Sequence, residues 1–145
     1  MTGGQRIEYG VITPLNTIEQ QILTMSDAEI DQFPIGIIQL DRDGTILSYN
    51  KAEAAFAHRI GITTIGLNFF RDVAPCTAVK RFQGTFNEAL TSFGSRIERF
   101  TFEFPFAWGT KEVTIGMVLR VRRQRYQVDE SIYIVVYTSP LAAEG

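Results

Sequence analysis

The single cysteine of the chain, Cys76, sits in the run Asp72-Val73-Ala74-Pro75-Cys76-Thr77, ahead of a segment with helical periodicity. A thiol at a helix N-terminus feels the positive end of the helix dipole. That favours its thiolate and suits covalent attachment or nucleophilic attack. A small thiol filling space in the core is the simpler use of the same residue. Glu53 follows Tyr49 by four residues and Asn50 by three. Asn50-x-x-Glu53 is close to a capping box, in which Glu53 reaches back to the Asn50 amide. Buried in an apolar site instead, the Glu53 carboxyl would have a raised pKa, stay protonated at neutral pH and donate a hydrogen bond. Tyr49 ends a strand, where a half-buried ring with a wet hydroxyl is ordinary. Arg59 reads as a surface cation or as a guanidinium closing one side of a pocket. His58 reads as a helix-end residue explained by favourable C-terminal electrostatics. A Cys76–His58 hydrolase pair has no supporting motif.

Composition removes several classes. One cysteine and one histidine exclude a disulfide framework and the usual Cys/His zinc sites. A net charge of −2 gives no global attraction to nucleic acid or to an anionic membrane. Arg120, Arg122, Arg123 and Arg125 cluster near a hairpin, and alternation places Arg120 and Arg122 on one strand face. A solvated sheet edge explains them better than a nucleic-acid surface. Asp41-Arg42-Asp43-Gly44 lacks the calcium-loop pattern, because its glycine comes too early and Ala52 stands where a glutamate is needed. It is a hairpin turn. No apolar run approaches the ~18 residues of a membrane span. Met1 to Gly10 has no signal-peptide core, so the cytoplasm is the expected compartment.

The elements that must position these residues follow from periodicity. At 145 residues the chain is one domain by length. Residues 1–12 read as a poorly ordered lead-in, and Thr13-Pro14 as a helix start. Leu15, Ile18, Ile22 and Met25 then recur at helical spacing. This amphipathic helix must cover the domain's own sheet or a partner, such as a second copy in a homodimer. An N-terminal extension over 1–25 thus precedes a domain over 26–140. Ser26 with Glu29 predicts a capping box. Ile35–Leu40 and Thr45–Tyr49 read as strands, and Asn50 to about His58 as a helix. Residues 59–76 are mixed loop and short helix. From Thr77, Val79, Phe82, Phe86, Ala89, Leu90 and Phe93 keep helical period until Gly94. Arg96–Phe106, Val113–Arg123 and Ser131–Thr138 read as strands. The class is α+β, with a five-stranded, mainly antiparallel sheet. Eleven phenylalanines point to an aromatic core or a pocket for a flat ligand.

Two stretches resemble the photoactive yellow protein family. One is Ile38-Gln39-Leu40-Asp41-Arg42-Asp43-Gly44 through Ile46-Leu47 to Tyr49-Asn50, with Ala52-Glu53 following. The other, more specific, is Gly66-Leu67-Asn68-Phe69-Phe70-Arg71-Asp72-Val73-Ala74-Pro75-Cys76-Thr77, with Phe82, Gly84 and Phe86 in register. The likeness covers residues 26–138 and weakens after Gly94; Phe104, Pro105, Phe106 and Trp108 depart from the family pattern. The resemblance implies a PAS fold with helices packed on the faces of the sheet. It implies that Cys76 carries p-coumaric acid (4-hydroxycinnamic acid) by a thioester, in a site with Tyr49, Glu53, Arg59 and Phe69. Tyr49 and a protonated Glu53 would hydrogen-bond the phenolate, and Arg59 would shield it. A threonine that supports the tyrosine side in the family is Ala57 here. The implied function is blue-light signalling by trans–cis isomerisation, proton transfer and N-terminal rearrangement, without enzyme activity, toward a downstream protein the sequence does not name. Two readings stand beside it: a chromophore-free PAS module for dimerisation or ligand sensing, and a thiol enzyme or redox sensor built on Cys76.

Overall fold

The computed structural model describes residues 6–8, 11–13, 17–57, 63–92, 94–106 and 108–137. The helix start at Pro14, Leu15, His58 and Arg59 lie outside the described residues. Where a poorly ordered lead-in is expected, strands β1 (Arg6–Glu8) and β2 (Val11–Thr13) pair antiparallel. Ile7, Val11, Ile12 and Thr13 are β-branched, which favours strand. Thr13 is therefore a strand residue and not a cap. The cap of helix α1 (Ile18–Ile22) is Thr17, whose hydroxyl accepts from the Gln20 amide at 3.2 Å. Helix α2 (Asp27–Gln32) starts with the expected capping box between Ser26 and Glu29.

The central sheet has five strands, β3 (Gly36–Leu40), β4 (Ile46–Tyr49), β5 (Arg96–Phe106), β6 (Gly109–Gln124) and β7 (Gln127–Tyr137), in the order β4-β3-β7-β6-β5. Every pairing is antiparallel. Period-two alternation divides the side chains between two buried faces. Ile38, Leu40, Ile115, Met117, Ile132, Ile134 and Val136 face an inner cluster with Phe69, Phe70, Phe82 and Phe86. Ile37, Val118, Tyr133, Val135 and Tyr137 face an outer cluster with Ile22, Met25 and Ile30. The helical segments after β4 cover the inner face, while α1 and α2 cover the outer one. Each large side chain so buried contributes roughly 1.5–3 kcal/mol.

Helix α3 (Lys51–Phe56) is tied to this sheet by one side chain. Asn50 is 2% exposed. Its carbonyl oxygen accepts from the amides of Ile37 (2.9 Å) and Glu53 (3.0 Å). Its amide nitrogen donates to the carbonyls of Ile30 (3.0 Å) and Ile35 (2.9 Å). One amide thus fastens α2, β3 and α3 together, and it aims Glu53. Asn50→Ala would strand buried backbone groups on all three elements, at about 1–3 kcal/mol for each one left unsatisfied. The expected outcome is a loss of about 3 kcal/mol or more in urea unfolding, with Asn50→Asp recovering only the acceptor half.

Candidate functional site

The segment that carries Cys76 is anchored at its start by Asn68. The Asn68 side-chain oxygen accepts from the amides of Phe70 and Arg71, both at 3.0 Å. Its nitrogen donates to the Asp43 carbonyl at 2.8 Å. The Phe69 amide donates to the Gly44 carbonyl at 2.8 Å. Gly44 has φ +87, a conformation that costs glycine little. The β3–β4 turn therefore holds the segment in place. A π-helical turn follows over Phe69–Val73, closed by Ala74 N–H donating to Phe69 O at 2.8 Å. Pro75 then disfavours helical geometry at Ala74 and starts a separate 3-10 turn, Pro75–Thr77.

The long helix expected from Thr77 is broken into that turn, a π-helical turn over Lys80–Gly84, and α4 (Thr85–Ala89). Cys76 does not sit at the N-terminus of an extended helix, so the dipole argument for a stabilised thiolate does not apply. Cys76 is partly buried against the inner cluster. Burial pushes its thiol pKa up, and a hydrogen bond from its own backbone pulls the other way without prevailing. The resting sulfur is a thiol.

Tyr49 lies opposite Ile38 in the β3–β4 ladder and packs on the same inner cluster as Cys76. Glu53 is 5% exposed. Only half of the expected capping box forms: Asn50 caps the Glu53 amide, but the Asn50 N–H donates to the Ile37 carbonyl instead of to Glu53. The freed carboxyl turns inward. It lies over Gly36, where any Cβ would overlap Glu53 Oε1. Gly36 pairs with Val136, an inner-face residue, so the carboxyl occupies the inner face. Oε1 is buried, with no hydrogen-bond partner among the described residues. Burial raises the Glu53 pKa from 4.5 to about 8. The group is a neutral acid at pH 7, a donor awaiting an acceptor.

Aromatic rings wall the same face. Phe69 is 3% exposed, with its ring centroid 5.2 Å from Phe70 and 5.8 Å from Phe82. Phe82 also meets Phe100 and Phe102 edge-on at 5.3 and 5.2 Å. Phe56 meets Trp108 edge-on at 5.9 Å. The structure thus brings Cys76, Tyr49, Glu53 and Phe69 to one face of one sheet. Gly36 and Asn50 were missed as site residues by sequence reasoning. The available signal was a glycine opening an apolar strand, which marks a close approach by another group.

The basic cluster needs correcting. Arg120 is on β6, a strand between β5 and β7, and is 5% exposed rather than solvated on an edge. Arg120 and Arg122 share a depression with Asp27, Asp41, Asp43, Asp129 and Glu130, which is a surface of mixed charge. Among the described residues no helix is long and apolar enough to cross a membrane, and no group of potential ligands could hold a metal ion.

No family model matches the chain. The photoactive yellow protein of Halochromatium salexigens is 37% identical over 119 residues, spanning 82% of this chain and 90% of the relative. That of Rhodothalassium salexigens is 37% identical over 111 residues, spanning 77% and 88%. The photoactive yellow protein domain of the sensor histidine kinase Ppr from Rhodospirillum centenum superposes with a TM-score of 0.65. It is 39% identical and covers 82% of this chain and 98% of that one. The PAS domain of an HTR-like protein from Haloarcula marismortui, at 14% identity and a TM-score of 0.55, shares the fold over 77% of this chain and 92% of its own. On identity sustained over most of both chains, with a five-stranded antiparallel PAS fold to match, this chain belongs to the photoactive yellow protein family.

Proposed function

We propose that this PAS-type photoreceptor domain carries p-coumaric acid as a thioester on Cys76 and works as a blue-light switch in the cytoplasm. The observation that carries the reading is the orphaned, neutral carboxyl of Glu53 on the inner face. A buried polar atom without a partner is costly unless a ligand completes it. A half-buried sulfur and a wall of phenylalanine rings on the same face fit a flat, acyl-linked aromatic group. Bound there, p-coumaric acid would supply a visible chromophore with an isomerisable double bond and an ionisable phenol.

The chain's own residues have separate tasks in this reading. Cys76 Sγ forms the C–S bond to the acyl carbon of an activated ester; the activating group leaves and the thiol proton goes to solvent. Neutral Glu53 donates its O–H to an anionic oxygen, and the Tyr49 hydroxyl donates alongside it. Both are charge-assisted bonds and stronger than neutral ones. The phenylalanines, Phe69 among them, would line the site and exclude water. Arg59, which lies outside the described residues, is assigned by the family resemblance to shield the chromophore from solvent. When Glu53 gives up its proton, a carboxylate is left over Gly36 with Oε1 unpartnered among the described residues. Loosening the surrounding structure relieves that charge, and the N-terminal helix is the element assigned to move.

Ala57, at the C-cap of α3, favours a second reading. It offers a methyl group where the family has a threonine hydroxyl, as in a PAS module that senses or dimerises without a chromophore. Reconstitution decides between them. Purified protein treated with activated p-coumaric acid should gain a visible absorption band and an acyl mass on Cys76, both absent in Cys76→Ser. Because the thiol pKa is raised, the loading rate should climb as pH rises above neutrality. No band and no added mass would leave the chromophore-free module standing.

The protein without chromophore makes an independent prediction. Below pH 4.5 Glu53 is protonated both folded and unfolded. Between 4.5 and about 8 only the unfolded state ionises it. Stability therefore falls as pH rises through that window, by about 1.4 kcal/mol per unit from this group. Urea midpoints from pH 5 to 9 should decline in the wild type and much less in Glu53→Gln.

A further inference from the structure

A second glutamate is buried on the opposite, outer face. Glu19, in α1, is 1% exposed. Both of its carboxylate oxygens are engaged. Arg99 Nε donates to Oε2 at 2.9 Å, and Arg99 Nη2 donates to Oε1 at 2.8 Å. The Tyr137 hydroxyl donates to Oε1 at 2.7 Å. The floor beneath is Gly116, where any Cβ would overlap Oε2. Strands β5, β6 and β7 thus contribute one residue each to a socket shaped for one carboxylate. The guanidinium also lies over the Tyr137 ring, 5.1 Å from its centroid, which fixes the two donors relative to each other. Burial alone pushes the Glu19 pKa up. The bonds from Arg99 and Tyr137 outweigh it and hold the carboxyl below its usual range, so the key is an anion at neutral pH.

The helix this carboxylate fastens has five residues. Such a helix has no stability of its own in water. Its apolar contribution is Ile22 and the partly buried Ile18, with Met25 just beyond, in one cluster with Ile37, Val118 and Val135. At its far end Arg120 donates to the Ile22 and Met25 carbonyls at 2.6 and 3.0 Å. That bond pins the end of the helix whatever its sequence, because carbonyls carry no side-chain information. The Glu19 socket is different: it recognises one side chain by charge, length and the space above a glycine.

We propose that Arg99, Tyr137 and Gly116 form a carboxylate-keyed latch, with Glu19 as the key, that decides whether α1 covers or uncovers the apolar outer face. Glutamine would bring one neutral oxygen and an unmatched amide to a site built from donors. Aspartate would stop short of the floor. Either way the helix loses its specific hold, and because it is too short to persist alone, it melts as a unit. The latch itself exists with or without a chromophore; its use in signalling rests on the function proposed above.

Hydrogen exchange on the full chain without chromophore tests the latch apart from that function. Glu19→Gln and Gly116→Ala should each speed exchange of the 17–25 amides roughly tenfold or more. Tyr137→Phe, a milder change that keeps the ring, should give a smaller rise in the same amides. Amides of β3, β4 and the inner-face segments should keep their wild-type rates. The Gly116 variant matters most, because it leaves the ion pair chemically intact and removes only the space for it. Unchanged exchange over 17–25 in these variants would overturn the proposal, and so would an equal rise across the whole sheet. A chain that loads p-coumaric acid normally yet shows neither local effect would refute the latch and spare the photoreceptor reading.

Discussion

A carboxyl with one buried oxygen unpartnered is tolerable only while it is neutral, and the inner face depends on that condition at Glu53. The fold enforces it by position. Asn50 caps the amide of Glu53, the helix directs the side chain toward the sheet, and Gly36 removes the one Cβ that would stop it. The result is stored electrostatic sensitivity, because ionising the group exposes the full desolvation cost of a charge. A site of this kind holds one state well and resists the other, which is the behaviour expected of a switch.

The outer face obeys the complementary rule. Glu19 is buried as an anion because Arg99 and Tyr137 supply donors to both oxygens. The two glutamates thus share a means of entry, a glycine in the sheet, and differ in what meets them. Strand register places the two glycines close in the ladder. Gly36 is opposite Val136 and Val136 opposite Ile115; Ile37 is opposite Val135 and Val135 opposite Gly116. The floors of the two carboxyl sites are therefore in neighbouring rows of three adjacent strands. Hydrogen-bonded backbone of β7 lies between the two floors.

Strand positions were legible because alternation is local. A run such as Ser131 to Tyr137 shows its two faces without knowledge of what covers them. The Ser26 cap was legible for the same reason, since both partners lie within four residues. What the sequence hid was set by distant partners. Thr13-Pro14 looked like a helix start, yet Thr13 pairs with Arg6 in a hairpin. Arg120 looked like an edge residue because charge on a strand usually is. Only the strand order shows β6 as interior, with the last residue of α1 and Met25 beyond it each presenting a carbonyl to the guanidinium. Gly36 and Gly116 mark a close approach by another group, but neither says which distant carboxyl makes it.

Cys76 shows how a local rule can mislead about chemistry. The expected activation came from a helix dipole, but Pro75 and the π-helical turns break the helix that would have supplied it. Burial acts instead and keeps the sulfur protonated. A redox sensor or a thiol enzyme needs a standing thiolate, so this environment counts against both. A sulfur that must react once and then stay bonded has no such need. For the anchoring role proposed above, slow acylation would be acceptable, and the apolar surroundings that suppress the thiolate would also keep water from a thioester. The feature that weakens Cys76 as a nucleophile is thus compatible with the proposed anchor.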